Sequence, residues 1–103
     1  MKEIEIAGVT VQVNEEGYMT DPSQWNADIA KEFAAQAGIE LTDKHLEVLK
    51  FLREKHTEGK TLTIRAIGKS GIVDIKGFYA LFPGGPLKVS SKIAGIPKPV
   101  SCV

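Results

Sequence analysis

Hydrophobic and polar residues alternate at the start of the chain. Ile4 and Ile6 stand against Glu3 and Glu5, and Val9, Val11 and Val13 against Thr10 and Gln12, with Ala7-Gly8 between the runs. A period of two on either side of a two-residue, glycine-containing link predicts a β-hairpin. Asn14-Glu15-Glu16-Gly17 closes it with a turn. The period then lengthens. Asp21-Pro22 opens a helical approach, and Asn26 caps a helix in which Ile29, Phe33 and Ala37 recur every fourth residue until Gly38 stops it. Thr42 caps a longer, central helix with Leu46, Leu49 and Leu52 on one face, Val48 and Phe51 widening it, and Gly59 after its last basic turn.

Beyond Gly59 the periodic segments shorten. Thr63 caps Ile64 to Ile67, Gly68-Lys69-Ser70-Gly71 turns the chain, and Asp74 caps a segment carrying Ile75, Phe78, Tyr79 and Phe82. Two short helices around a turn result, like a helix-turn-helix pair. Pro83-Gly84-Gly85-Pro86 interrupts them, Pro86 suits the first position of a last helix through Ile93, and Gly95 ends it. Ile96 to Val103 contains Pro97 and Pro99, which fix extended geometry and push their predecessors out of the α region. The expected fold is mainly α (α+β), a compact helical domain over residues 1–95 with an N-terminal β-hairpin. A mobile, extended C-terminal arm follows over 96–103. Trp25, Tyr18, Phe33, Phe51, Phe78 and Phe82 are expected in the core.

Composition narrows the chemistry. At 103 residues, with 43% hydrophobic and 25% charged residues, the chain suits one globular domain whose core needs no staple. No apolar run approaches the ~18 residues that span a bilayer, and the charged N-terminal segment is unlike a secretory signal, so a cytoplasmic location is expected. One cysteine and two histidines, His45 and His56, supply neither an internal disulfide nor a four-ligand zinc site, and no cofactor-binding motif stands out. His45 reads as a surface residue of a capping region, and His56 as a favourable charge near a helix C-terminus. Charge is sorted along the chain. Residues 1–58 carry twelve acids against six Lys and Arg, and residues 59–103 carry seven Lys and Arg against Asp74 alone. Either the halves complement one another or the basic part faces a partner.

The thiol of Cys102 is the chemical feature to explain. An extended run from Ile96 to Cys102 spans about 23 Å at ~3.3 Å per residue, enough to present a sulfur to another protein. Lys88, Lys92 and Lys98 favour a thiolate, while the Val103 carboxylate opposes it. Such an arm is a carrier lacking a complete stand-alone active site. A helix-turn-helix nucleic-acid binder is the competing reading, with Arg65, Lys69 and Lys76 near the pair. Three cations, an acid heading the second helix and zero net charge promise little attraction for phosphate.

Leu81-Phe82-Pro83-Gly84-Gly85-Pro86, Lys92-Ile93-Ala94-Gly95-Ile96-Pro97-Lys98-Pro99 and the ending Ser101-Cys102-Val103 resemble the C-terminal signature of the DsrC/TusE family of sulfur-trafficking proteins. Gly17-Tyr18, Ser23-Gln24-Trp25-Asn26, Gly38-Ile39, Leu41-Thr42, His45 and Ile64-Arg65 extend the likeness over nearly the whole chain. The resemblance implies a sulfur carrier in which the penultimate Cys102 accepts persulfide sulfur and passes it to partner proteins. Those partners belong to a tRNA 2-thiolation relay or to a sulfur-oxidation or sulfite-reductase pathway. Members close to the gamma subunit of dissimilatory sulfite reductase carry a second cysteine, with which the first can form a disulfide or trisulfide. Here Ser91 occupies that position, so a two-cysteine cycle is closed to this chain. Two alternatives stay open, a TusE-like relay and a gamma-subunit-type partner with Ser91 replacing the cysteine. The connection from Ile67 to Phe78 is short for the family. Arg65 matches a family-typical position and, with Lys92 and Lys98, is a candidate to stabilise a persulfide anion or dock an acidic partner, against the plainer reading of solvated cations.

Overall fold

The alternating segment folds as a hairpin in a computed structural model, which describes residues 2–98. Strand β1 (Lys2–Ile6) pairs antiparallel with β2 (Val9–Val13), Ile4 opposite Val11 and Ile6 opposite Val9. Ala7 and Gly8 both take positive φ, 51° and 76°, which gives a linking turn whose twist matches that of the strands. Ile6, Val11 and Val13 are buried and Glu3, Glu5 and Thr10 face outward, as a period of two dictates. At the next turn Gly17 donates its N–H to the Asn14 carbonyl at 3.0 Å. The Asn14 side-chain oxygen accepts from the amides of Glu16 and Tyr18.

Five helices follow, giving the expected α+β architecture: α1 (Ala27–Gln36), α2 (Asp43–Thr57), α3 (Ile64–Gly68), α4 (Ile75–Leu81) and α5 (Pro86–Ile93). Side-chain oxygens of Asn26, Thr42, Thr63 and Asp74 accept from the amides of Ile29, His45, Ala66 and Gly77, so each residue read as an N-cap serves as one. Pro86 occupies the first turn of α5. Asp21 caps a short 3₁₀ turn over Pro22–Gln24, and its bonds from the Ser23 hydroxyl and amide hold its carboxyl below the usual value. Gly38 and Gly59 end α1 and α2 by the same device. Each donates to a carbonyl three residues back, and the next residue, Ile39 or Lys60, donates to a carbonyl five back.

The core is built from Ile29 and Phe33 of α1, Val48, Leu49 and Leu52 of α2, Phe78 and Phe82 around the end of α4, and Leu87 and Ile93 of α5. Three expectations change here. The buried stripe of α2 runs His45, Val48, Leu49, Leu52, so Leu46, about 100° round the helix from His45, is 38% exposed. Ala37 is exposed because it is the C-cap of α1, where the helix has turned away from the core. Trp25 and Phe51 are half-buried instead of fully enclosed.

His45 departs most from its reading as a surface residue, being only 7% exposed. Its Nδ1 accepts from the Thr42 amide at 3.1 Å, closing a capping box, and its Nε2 lies 2.8 Å from the Leu81 carbonyl. The neutral tautomer with the proton on Nε2 satisfies both bonds. The ring also meets Phe82 edge-on, centroids 5.0 Å apart. One side chain thus ties the start of α2 to the end of α4. His45→Ala removes both bonds and strands a carbonyl, so urea unfolding should show a loss of about 1–3 kcal/mol. His45→Gln, which restores the capping half, should recover part of that loss.

Candidate functional site

The C-terminus of α5 is where the body of the protein hands over to the Cys102 segment. A helix ends with carbonyls that lack intrahelical partners, and here each of the last ones is accounted for. Ala94 N–H donates to Ser90, Ile96 N–H to Ser91 and Gly95 N–H to Lys92. Gly95 makes this closure with φ of 70°, the left-handed conformation that favours glycine. The two remaining carbonyls are taken by side chains from elsewhere in the chain. Trp25 Nε1 donates to the Ile93 carbonyl at 2.8 Å, and Arg53 Nη1 donates to that of Ala94 at 2.8 Å.

Trp25 and Arg53 form one unit. The guanidinium carbon sits 4.3 Å from the centre of the indole, an attractive stacking of cation on ring. Arg53 Nη2 reaches the Pro22 carbonyl at 2.9 Å, so the arginine links α2, the 3₁₀ turn and α5. Burial of the guanidinium lowers its pKa from the ordinary value. Gly95 passes so close beneath the indole that a Cβ there would lie 2.3 Å from Trp25 Cδ1. Glycine is therefore required twice, by its φ and by this approach. Ile96, assigned to the arm by its sequence, is 1% exposed and packs in the core, so the body extends past residue 95.

Beyond Ile96, Pro97 is exposed, and Lys98 Nζ pairs with Glu16 Oε2 at 2.8 Å. Lys92 Nζ lies over Gly17, where a Cβ would be 3.0 Å from it. The fold thus brings Lys92 and Lys98 to the Asn14–Gly17 turn. Arg65 is exposed on α3, and no contact among the described residues joins it to them. Pro97 and Lys98 also line a cleft of about 340 Å³ with His56, Gly59, Lys60, Thr61 and Leu62. Cys102 lies outside the described residues.

Ser91 is fully buried in α5, and its hydroxyl has no hydrogen-bond partner among the described residues. A thiol, weakly polar and at home in apolar surroundings, suits such a position better than a hydroxyl. No three His, Cys, Asp or Glu side chains among the described residues are grouped to hold a metal. Arg53 is the residue that sequence reasoning missed. The available signal was that only two of the thirteen Lys and Arg are arginines, and arginine is the residue suited to capturing several acceptors from one planar fork.

A small α+β domain clamps the last turn of α5, and its sequence continues from there into a segment with two prolines and Cys102. The DsrC like protein family matches over residues 5–103, and the chain belongs to that DsrC/TusE family. It is 38% identical to the sulfurtransferase TusE of Salmonella typhimurium, over 93% of this chain and 95% of that one. With TusE of Pectobacterium atrosepticum the identity is 37%, over 97% and 99%. The fold superposes on the NMR structure of Allochromatium vinosum DsrC with a TM-score of 0.82 at 36% identity, covering 98% and 97% of the two chains. For the oxidized gamma-subunit of the dissimilatory sulfite reductase (DsrC) from Archaeoglobus fulgidus the TM-score is 0.81 at 30% identity, covering 99% and 100%. These relatives favour a sulfur-carrying reading over a nucleic-acid one.

Two outcomes check the site. Gly95→Ala should destabilise the protein by at least about 2 kcal/mol through strain and overpacking, with a changed emission from Trp25, the sole tryptophan. Ser91→Ala should leave stability unchanged or raise it by up to about 2 kcal/mol, because it removes an unpaired buried hydroxyl. A loss above about 1 kcal/mol in urea titration would mean that the hydroxyl is bonded after all.

Proposed function

We propose that this protein is a single-thiol persulfide carrier. The sulfane sulfur of a donor protein's persulfide is attacked by the Cys102 thiolate, the donor's S–S bond breaks, and the donor cysteine leaves as a thiolate. Cys102 then holds the sulfur as its own persulfide until an acceptor thiolate repeats the exchange in the opposite sense. One S–S bond forms for each one broken, so neither step needs an oxidant or reductant. The observation that carries this reading is the anchored end of α5, which makes a rigid base for a terminal thiol, in a chain related over almost its full length to TusE sulfurtransferases.

Ser91 supports the single-thiol form of the cycle, since a buried hydroxyl forms neither a disulfide nor a trisulfide. The partners in this reading are proteins of a sulfur-relay system, met in the cytoplasm, and no helix among the described residues is long and apolar enough to cross a membrane. Ile96 is packed in the core and Lys98 is paired with Glu16, so both belong to the anchored body. Covalent geometry then limits Cys102 to about 13 Å beyond Lys98, at ~3.3 Å per residue. A partner's reactive sulfur must therefore come close to the protein body. Lys60, exposed at the nearby cleft that Pro97 and Lys98 also line, favours the thiolate and the persulfide anion electrostatically.

Incubation with glutathione persulfide should add the mass of one sulfur atom to the protein, and reduction should remove it. Cys102→Ser should stay unmodified by intact-mass measurement. Equal labelling of the two proteins would refute the carrier role.

A further inference from the structure

We infer that the face shared by α3 and α4 is the surface on which the sulfur-exchange partner docks, and that the partner offers there an acidic protein surface with an apolar centre. The partner's role rests on the carrier reading above, whereas the surface rests on the geometry of the two helices. Ile75 and Tyr79, one turn apart on α4, are each 46% exposed, while Phe78, about 60° round the helix from Ile75 and about 100° from Tyr79, turns inward and is fully buried. Gly68 lets α3 come up against Ile75, since a Cβ on Gly68 would lie 2.6 Å from Ile75 Cγ1. Residues on the Gly68 side of α3 therefore border the apolar centre. Arg65, three residues before Gly68, shares that side, Lys69 follows Gly68 about 100° round the axis as the C-cap of α3, and Lys76 follows Ile75 on α4.

All three cations are exposed, and none makes an ion pair among the described residues. Asp74 is the only acid after Glu58, and its carboxylate is engaged by the Gly77 amide at 2.6 Å. Across the molecule, Lys98 with Glu16 is the one ion pair among the described residues that joins the basic part to the acidic part, the other two lying within α2 and at its C-cap, Glu58. Internal complementarity does not use the cations of α3 and α4, which leaves them available to an outside acid. Tyrosine and arginine are typical of protein interface centres, and flanking charges steer encounter and fix register. A phosphate backbone would neutralise the cations but leave Ile75 and Tyr79 nothing to bury against, and three contacts give weak binding to nucleic acid.

The test is an NMR amide-shift titration of the labelled Cys102→Ser protein with three probes. These are an acidic amphipathic helical peptide of Glu and Leu, the same peptide with Lys for Glu, and a short DNA duplex. The acidic peptide should shift amides within residues 64–80, and the K76E/Y79S double variant should weaken that binding at least tenfold. K31E, on the exposed side of α1, should leave it unchanged, and the basic peptide should not bind. Both positions of the double variant are exposed, so its melting temperature should stay near that of the parent. Shifts scattered elsewhere, or equal binding by the double variant, would overturn the proposal. Tighter binding of DNA at the same amides would make the face a nucleic-acid surface. Shifts of those amides with protein concentration alone would assign it to a second copy of the chain. Labelling by glutathione persulfide, run on K76E/Y79S with Cys102 intact, should match that of the parent. Failure of labelling in both would sink the carrier reading while leaving the docking map standing.

Discussion

Two hydrogen bonds from Trp25 and Arg53 to the last carbonyls of α5 hold the functional end of the protein to its body. A helix C-terminus inside a fold leaves acceptors that must be satisfied or pay desolvation, and a bond from a charged donor contributes about 1.5–3 kcal/mol. The guanidinium is stacked on the indole, tied to the 3₁₀ turn, and half-buried. Its position is therefore decided by three parts of the chain at once. The glycine under the indole and the buried Ile96 lie directly beside that clamp.

The same end of the molecule explains how so small a chain can carry reactive chemistry without an enclosed active site. A carrier needs its reactive atom to visit other proteins, so the catalytic environment belongs to the partner. What the carrier must provide is a short tether, a defined origin and a charge pattern that favours the anion. The clamp sets the origin. Lys60, exposed at the cleft that Pro97 and Lys98 line, places positive charge beside the last described residues. With Ser91 in place of a thiol, Cys102 has no second cysteine in the chain with which to form an internal sulfur bridge.

Charge sorting gains its meaning from what the fold leaves unpaired. The excess of acids before residue 59 and of Lys and Arg after it permitted two readings, halves that neutralise one another or a basic part turned to a partner. One ion pair between them among the described residues, Lys98 with Glu16, is a small internal use of so strong an asymmetry. On and beside α3 and α4, Arg65, Lys69 and Lys76 are exposed, as are Ile75 and Tyr79.

Local signals were legible wherever a few neighbouring residues decide the outcome. Ala7-Gly8, the caps Asn26, Thr42, Thr63 and Asp74, and the stops Gly38, Gly59 and Gly95 act through bonds to residues at most five positions away, and all could be read directly. The resemblance in the C-terminal segment likewise marked Cys102, Ser91 and the family. The clamp of Arg53 and Trp25 on α5, the second bond of His45 to Leu81 and the burial of Ile96 join residues far apart in the chain. A helical period says which residues share a face but not to within one position which face turns inward, so Leu46 looked like core and His45 like surface. Only the packing of α2 against α4 and α5 settles that rotation, because it is the neighbouring helices that decide which groups lose water and must find partners.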